Sequence, residues 1–163
     1  MKKVVFVLVL VVSSLVQAGE HNMDHKSGNG LGLSDNLKEL LKQEMNEIKK
    51  GMESLIFSIA SGDWEKTAKT GHDIKHSYII KKKLTESQRH ELHEKLPMQF
   101  REIDKKFHYY AGMLSHAAKE RDAELVNYFF YKMNESCTSC HSKFVKDRFE
   151  GFKQRNRHEQ HDH

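Results

Sequence analysis

Two cysteines and a histidine stand within five residues, Cys137-Thr138-Ser139-Cys140-His141, and the chain has no other cysteine. Several chemistries use thiols at this spacing. A disulfide across three residues closes so small a loop that it gains little by restraining the unfolded chain. A zinc site needs two more ligands, and a thioredoxin-like dithiol belongs beside a βαβ pattern that this sequence does not show. C-x-x-C-H is the signature of covalent c-type haem attachment, in which the thiols add to the haem vinyls and the adjacent histidine ligates the iron. Cys137, Cys140 and His141 are therefore expected to hold one haem c and its iron.

Haem attachment of this kind fits an exported chain, and the first residues read as an export signal. Lys2 and Lys3 precede an apolar run from Val4 to Val12, and Val16-Gln17-Ala18 offers a small-residue cleavage site. Cleavage near Ala18 gives a periplasmic protein. The run is shorter than the roughly 20 residues of a membrane helix, so no stable membrane insertion is expected. The formal charge of +4 includes both lysines of this segment, and nothing resembles the clustered basic face of a nucleic-acid binder.

With 31% charged residues and a single proline, the remainder suits one helical domain. Residues 19–33 read as a glycine-rich lead-in, 34–152 as the domain, and 153–163 as a His-rich tail. Ser34 is placed to cap a first helix, about Asp35 to Ala60, with Leu41, Met45, Ile48, Met52, Leu55 and Ile59 on one stripe. Ser61-Gly62 ends it. Asp63 caps a second helix carrying Trp64, Ala68, Gly71, Ile74 and Tyr78 inward, with Lys81 to Lys83 near its C-terminus. Thr85-Glu86-Ser87-Gln88 is a capping box opening a short connection to Pro97. A third helix to about Glu120 carries Phe100, Ile103, Phe107, Tyr110, Leu114 and Ala117. The fourth, about Asp122 to Arg148 with Gly151 as its stop, carries Val126, Phe130, Met133, Cys137, Cys140 and Phe144. The fold class expected is all-α, an antiparallel four-helix bundle with the covalent haem in its interior.

Four helices, the haem motif in the last, and an aromatic at Phe144 three residues beyond the histidine resemble the class II c-type cytochromes, the cytochrome c′ family and its low-spin relatives. The resemblance covers about Leu33 to Phe152. Where the family often has a basic residue after that aromatic, Val145 stands here, leaving Lys146 or Arg148 for a haem propionate. The resemblance implies that the residue opposite the histidine comes from the first helix. A methionine there makes the iron six-coordinate and low-spin; an apolar residue leaves it open to gases. Met45 fits this sixth position and Met52 is the second candidate. They are seven residues and roughly 10 Å apart along the helix, so one iron cannot take both. A core-filling role is the alternative for either.

The function so implied is electron transfer between redox protein partners, a donor and an acceptor, with room for a homodimer. The alternative is a five-coordinate binder of nitric oxide or carbon monoxide. No catalytic base is visible, and a haem enzyme would need a distal acid–base pair that His108 or His116 is not placed to supply, so an enzyme is not expected. His72 with His76, and His90 with His93, have metal-compatible helical spacings but read as solvated faces. His21, His25, His158, His161 and His163 fall in the polar ends.

Overall fold

The computed structural model describes residues 31–153. The expected export signal, most of the lead-in, and the tail histidines lie outside these residues. Within them the protein is all-helical, in six helices: α1 Asp35–Ala60, α2 Trp64–Lys75, α3 Ile80–Lys83, α4 Glu86–Lys95, α5 Met98–Lys119 and α6 Ala123–Phe144. Two single-turn 3₁₀ segments, Lys146–Arg148 and Glu150–Phe152, follow. No described helix is long and apolar enough to cross a membrane.

Local signals account for most boundaries. Gly62 takes φ +69°, which lets the chain leave α1 without a Cβ penalty, and Asp63 then accepts from Lys66 N to open α2. The Thr85 capping box with Gln88 is formed in full. Asp122 accepts from Leu125 N at the start of α6. Ser34 stands before α1 but does not cap it through its side chain. Its N–H and hydroxyl both donate to the Glu91 carboxylate, tying α4 to the start of α1. These two bonds hold the Glu91 carboxyl below its ordinary range.

The four long helices meet in a closed circuit. α1 packs on α2, α2 on α5, α5 on α6, and α6 returns to α1 along the sparsest of the four seams. Along α1 and α2 the contacts run in opposite chain directions: the Thr67 hydroxyl donates to the Ser58 hydroxyl, and Ile74 lies against Gly51. α2 and α5 approach closely, since a Cβ on Gly71 would stand 2.8 Å from the Ala111 carbonyl oxygen. Ser115 donates to the Ala68 carbonyl and His108 bonds the Ile74 carbonyl across the same seam. The main core contains Ile48, Leu55, Ile74, Phe107, Leu114, Val126 and Met133. A second cluster of Leu33, Leu37, Leu84 and Leu96 closes one end, where Leu41, Leu92 and Phe100 pack against it.

Three expectations are corrected. The second helix does not continue through Tyr78 to the lysine run. It stops at Lys75, Ser77 adopts φ +57°, and Lys81 to Lys83 lie in the separate one-turn helix α3, from which Lys81 reaches back to the Lys75 carbonyl. The cause is tertiary. Glu44 of α1 is buried, and its carboxylate accepts from the backbone N–H groups of Tyr78, Ile79 and Ile80 at 3.0, 2.6 and 3.1 Å. Because those groups are satisfied by Glu44, they are not available to prolong α2.

The buried face of α1 is consequently rotated. Leu37, Glu44, Ile48, Gly51, Leu55 and Ser58 are buried, while Met45 is 38% exposed and belongs to neither core cluster. The fourth helix ends at Phe144 rather than at Arg148, and Gly151 lies inside a 3₁₀ turn instead of stopping a helix. Folding back brings Phe149 onto His141, a contact that a continued helix would not make.

Glu44→Ala is expected to strand three N–H donors and to cost about 3 kcal/mol, while Glu44→Gln, keeping one carbonyl oxygen, costs about half of that. The urea midpoint at constant m-value measures both. An alanine variant as stable as the wild type would remove the assigned role of this carboxylate.

Candidate functional site

The five residues from Cys137 to His141 lie within α6, so their directions follow from helical geometry. Positions i, i+3 and i+4 share one flank, and Cys137, Cys140 and His141 are all partly buried. Neighbouring hydroxyls bond locally: Thr138 donates to the Glu135 carbonyl, and Ser142, just after His141, donates to that of Ser139. Cys137 packs against the main core beside Met133. Phe144, one turn beyond Cys140, meets Phe100 of α5 edge-on with ring centroids 5.2 Å apart.

The thiols are free in the structure, and burial pushes each up to about 11. Asp104 and Cys137 add to this at Cys140. Both are therefore protonated at neutral pH, the reverse of the lowered thiol that drives dithiol exchange. Burial, with the Arg148 charge second, holds His141 below its usual range, so the imidazole is neutral and able to ligate. Among the described residues no group of three or more His, Cys, Asp or Glu gathers in a metal-holding arrangement.

The position of Met45 follows from the contacts of its neighbours. Glu44, Gly51 and Ser58 of α1 face α2 and the segment after it, and Ile48 and Leu55 face the core. Met45, Met52 and Ile59 come next around the helix, on the flank turned away from α2. The other long neighbour of α1 is α6, so this flank borders their sparse seam. Height along the circuit separates the two methionines. Gly51, Ile74 and His108 stand at one level, and Phe100 opposite Phe144 sets the register of α6 against α5. At 1.5 Å per residue Met45 comes within about 2 Å of the level of His141, whereas Met52 is displaced by about 9 Å. Met52 instead packs against the main core.

Two residues relevant to the site escaped sequence reasoning. Arg101 of α5 follows Phe100, and its Nε is buried with no hydrogen-bond partner. A buried guanidinium nitrogen without an acceptor is costly, and a carboxylate-bearing ligand would satisfy it. No sequence signal marked it, because one arginine on a lysine-rich helix is ordinary. Phe149 stacks on His141 with centroids 4.6 Å apart and an interplanar angle of 18°. The recurrence of Phe144, Phe149 and Phe152 was a signal that the chain turns back after α6. Lys146 and Arg148, the other basic candidates, are exposed.

The other described histidines have partners or exposure of their own. His72 and His76 lie 4.2 Å apart by ring centroid on the surface of α2, where His76 bonds the His72 carbonyl. His90 pairs with Glu94, and His93 and His116 are exposed. His108 is committed to the Ile74 carbonyl and stands near Asp104.

Comparison with family models, curated proteins and solved structures found no match for this chain.

Proposed function

We propose that α1, α2, α5 and α6 form an antiparallel four-helix bundle carrying one covalently attached haem c, and that the protein is a periplasmic electron carrier. The observation that carries the reading is the flank of α6 on which Cys137, Cys140 and His141 lie together, partly buried; an ideal helical rise puts Met45 of α1 at about the same height. The donor set fits the group: two thiols for the vinyls, an imidazole and a thioether for the iron, and an unpartnered arginine nitrogen for a propionate.

Haem, when bound, supplies an iron that cycles between ferric and ferrous states. The chain's residues set the conditions for that exchange. Cys137 and Cys140 would tie the haem to α6, and His141 and Met45 would be the residues that hold its iron. A thioether in place of a second imidazole favours the ferrous state and raises the potential. Packing by Met52, Ile59 and Phe100 around the seam limits water access, which lowers the reorganisation that accompanies electron transfer. Donor and acceptor would be redox proteins.

The competing reading is a five-coordinate binder of nitric oxide or carbon monoxide. It is favoured by one observation, the exposure of Met45, which leaves its side chain free of the core packing that would hold it in place. An absorption spectrum of protein exported by a host with haem-attachment machinery separates the two. Six-coordinate, low-spin bands are the expected result, and the broad bands of five-coordinate iron would replace the carrier with the gas binder.

A further inference from the structure

The chain beyond α6 has no part in the circuit of long helices, yet it is folded. Val145 leaves the helix at φ −141°, and two 3₁₀ turns carry the chain back toward the last turn of α6. The result is a nearly parallel stack of Phe149 on the His141 imidazole, 4.6 Å between centroids and 18° between planes. Phe152 braces Phe149 edge-on at 6.1 Å and 73°. Phe149 itself is 39% exposed. Its placement therefore brings it a histidine ring, not a place in either hydrophobic core.

We infer that Phe149 is a positioning residue that fixes the plane of the His141 ring. The inference rests on the proposal that His141 is an iron ligand. A ligating imidazole keeps one soft motion, rotation about its bond to the metal. A hydrogen bond to the second ring nitrogen is the common restraint on that motion. A flat aromatic face lying on the imidazole restrains it by contact, because rotation would drive one ring into the other. The 3₁₀ strap is the element that delivers this face, and Phe152 keeps it from swinging outward.

The orientation of an axial imidazole is read from the paramagnetic shifts of the four haem methyl groups in the ferric, cyanide-bound protein. Cyanide is cylindrically symmetric and imposes no orientation of its own. Haem content by mass spectrometry is measured first, then methyl shifts and thermal melting for wild type, Phe149→Ala and Phe149→Tyr. Phe149→Ala is expected to keep one haem per chain, to alter the spread or order of the methyl shifts, and Phe149→Tyr, which retains the flat ring, to restore them. A haem-containing Phe149→Ala protein with the wild-type shift pattern would overturn the inference while leaving the proposed function standing, even if its melting temperature fell. A wild-type chain without haem would overturn both.

Discussion

Cys137→Ser combined with Cys140→Ser is expected to abolish haem retention after denaturation, where the wild-type chain keeps one haem through the same treatment. Serine preserves side-chain size closely, so the comparison isolates the chemistry of sulfur from the packing of α6 into the main core. Each single variant retains one thioether and is expected to hold haem with an altered spectrum, since one vinyl group then stays unsaturated. Intact mass in denaturing solvent measures all of these. The spacing of Cys137, Cys140 and His141 on one flank of α6 is the feature that gives this pair its assignment. A wild-type mass equal to that of the bare mature chain, obtained from a host competent in haem attachment, would end it.

Met45→Ala and Met52→Ala are expected to differ in kind. Met45 is partly exposed and lies outside both cores, at about the height of His141 by helical rise. Its removal should turn low-spin iron high-spin, open the sixth position to carbon monoxide, and change stability of the haem-free fold by less than about 0.5 kcal/mol. Met52 is packed against the main core, so its truncation should cost about 2 kcal/mol, the low end for a buried methionine, with the spin state unchanged. The two substitutions delete the same atoms, seven residues apart on one helix. Absorption spectra with and without carbon monoxide, together with urea midpoints, separate them. Low-spin iron surviving in Met45→Ala would transfer the sixth position to another residue.

Much of the helical framework was legible. The period of its apolar residues and Gly62 followed by Asp63 mark α1 and its end, all local signals, whereas Ser34 stands at its start but spends its hydroxyl on distant Glu91. The capping box at Thr85 and the start of α5 after Pro97 were equally local. The precise inward direction of α1 was not. A stripe through Leu41, Ile48 and Leu55 is compatible with neighbouring flanks on either side, and a glutamate is ordinarily assigned to solvent. Glu44 is buried because its partners, the N–H groups after Ser77, come from more than thirty residues away, and no periodicity encodes that. The same pairing ended α2 early. At the site, the thiols and imidazole were legible from their spacing, whereas Arg101 and Phe149 matter only through what folds beside them.

The link between α2 and α5 is long, and the cost of ordering such a link depends on where it is tied down. Glu44, in the N-terminal half of α1, pins its beginning, and Ser34, just before that helix, pins it near its end through Glu91. In polymer terms one large loop is thereby divided into shorter ones, each closed against the same helix. The link can peel away only by releasing bonds rooted in α1, so it opens together with that half of the helix, as one cooperative unit.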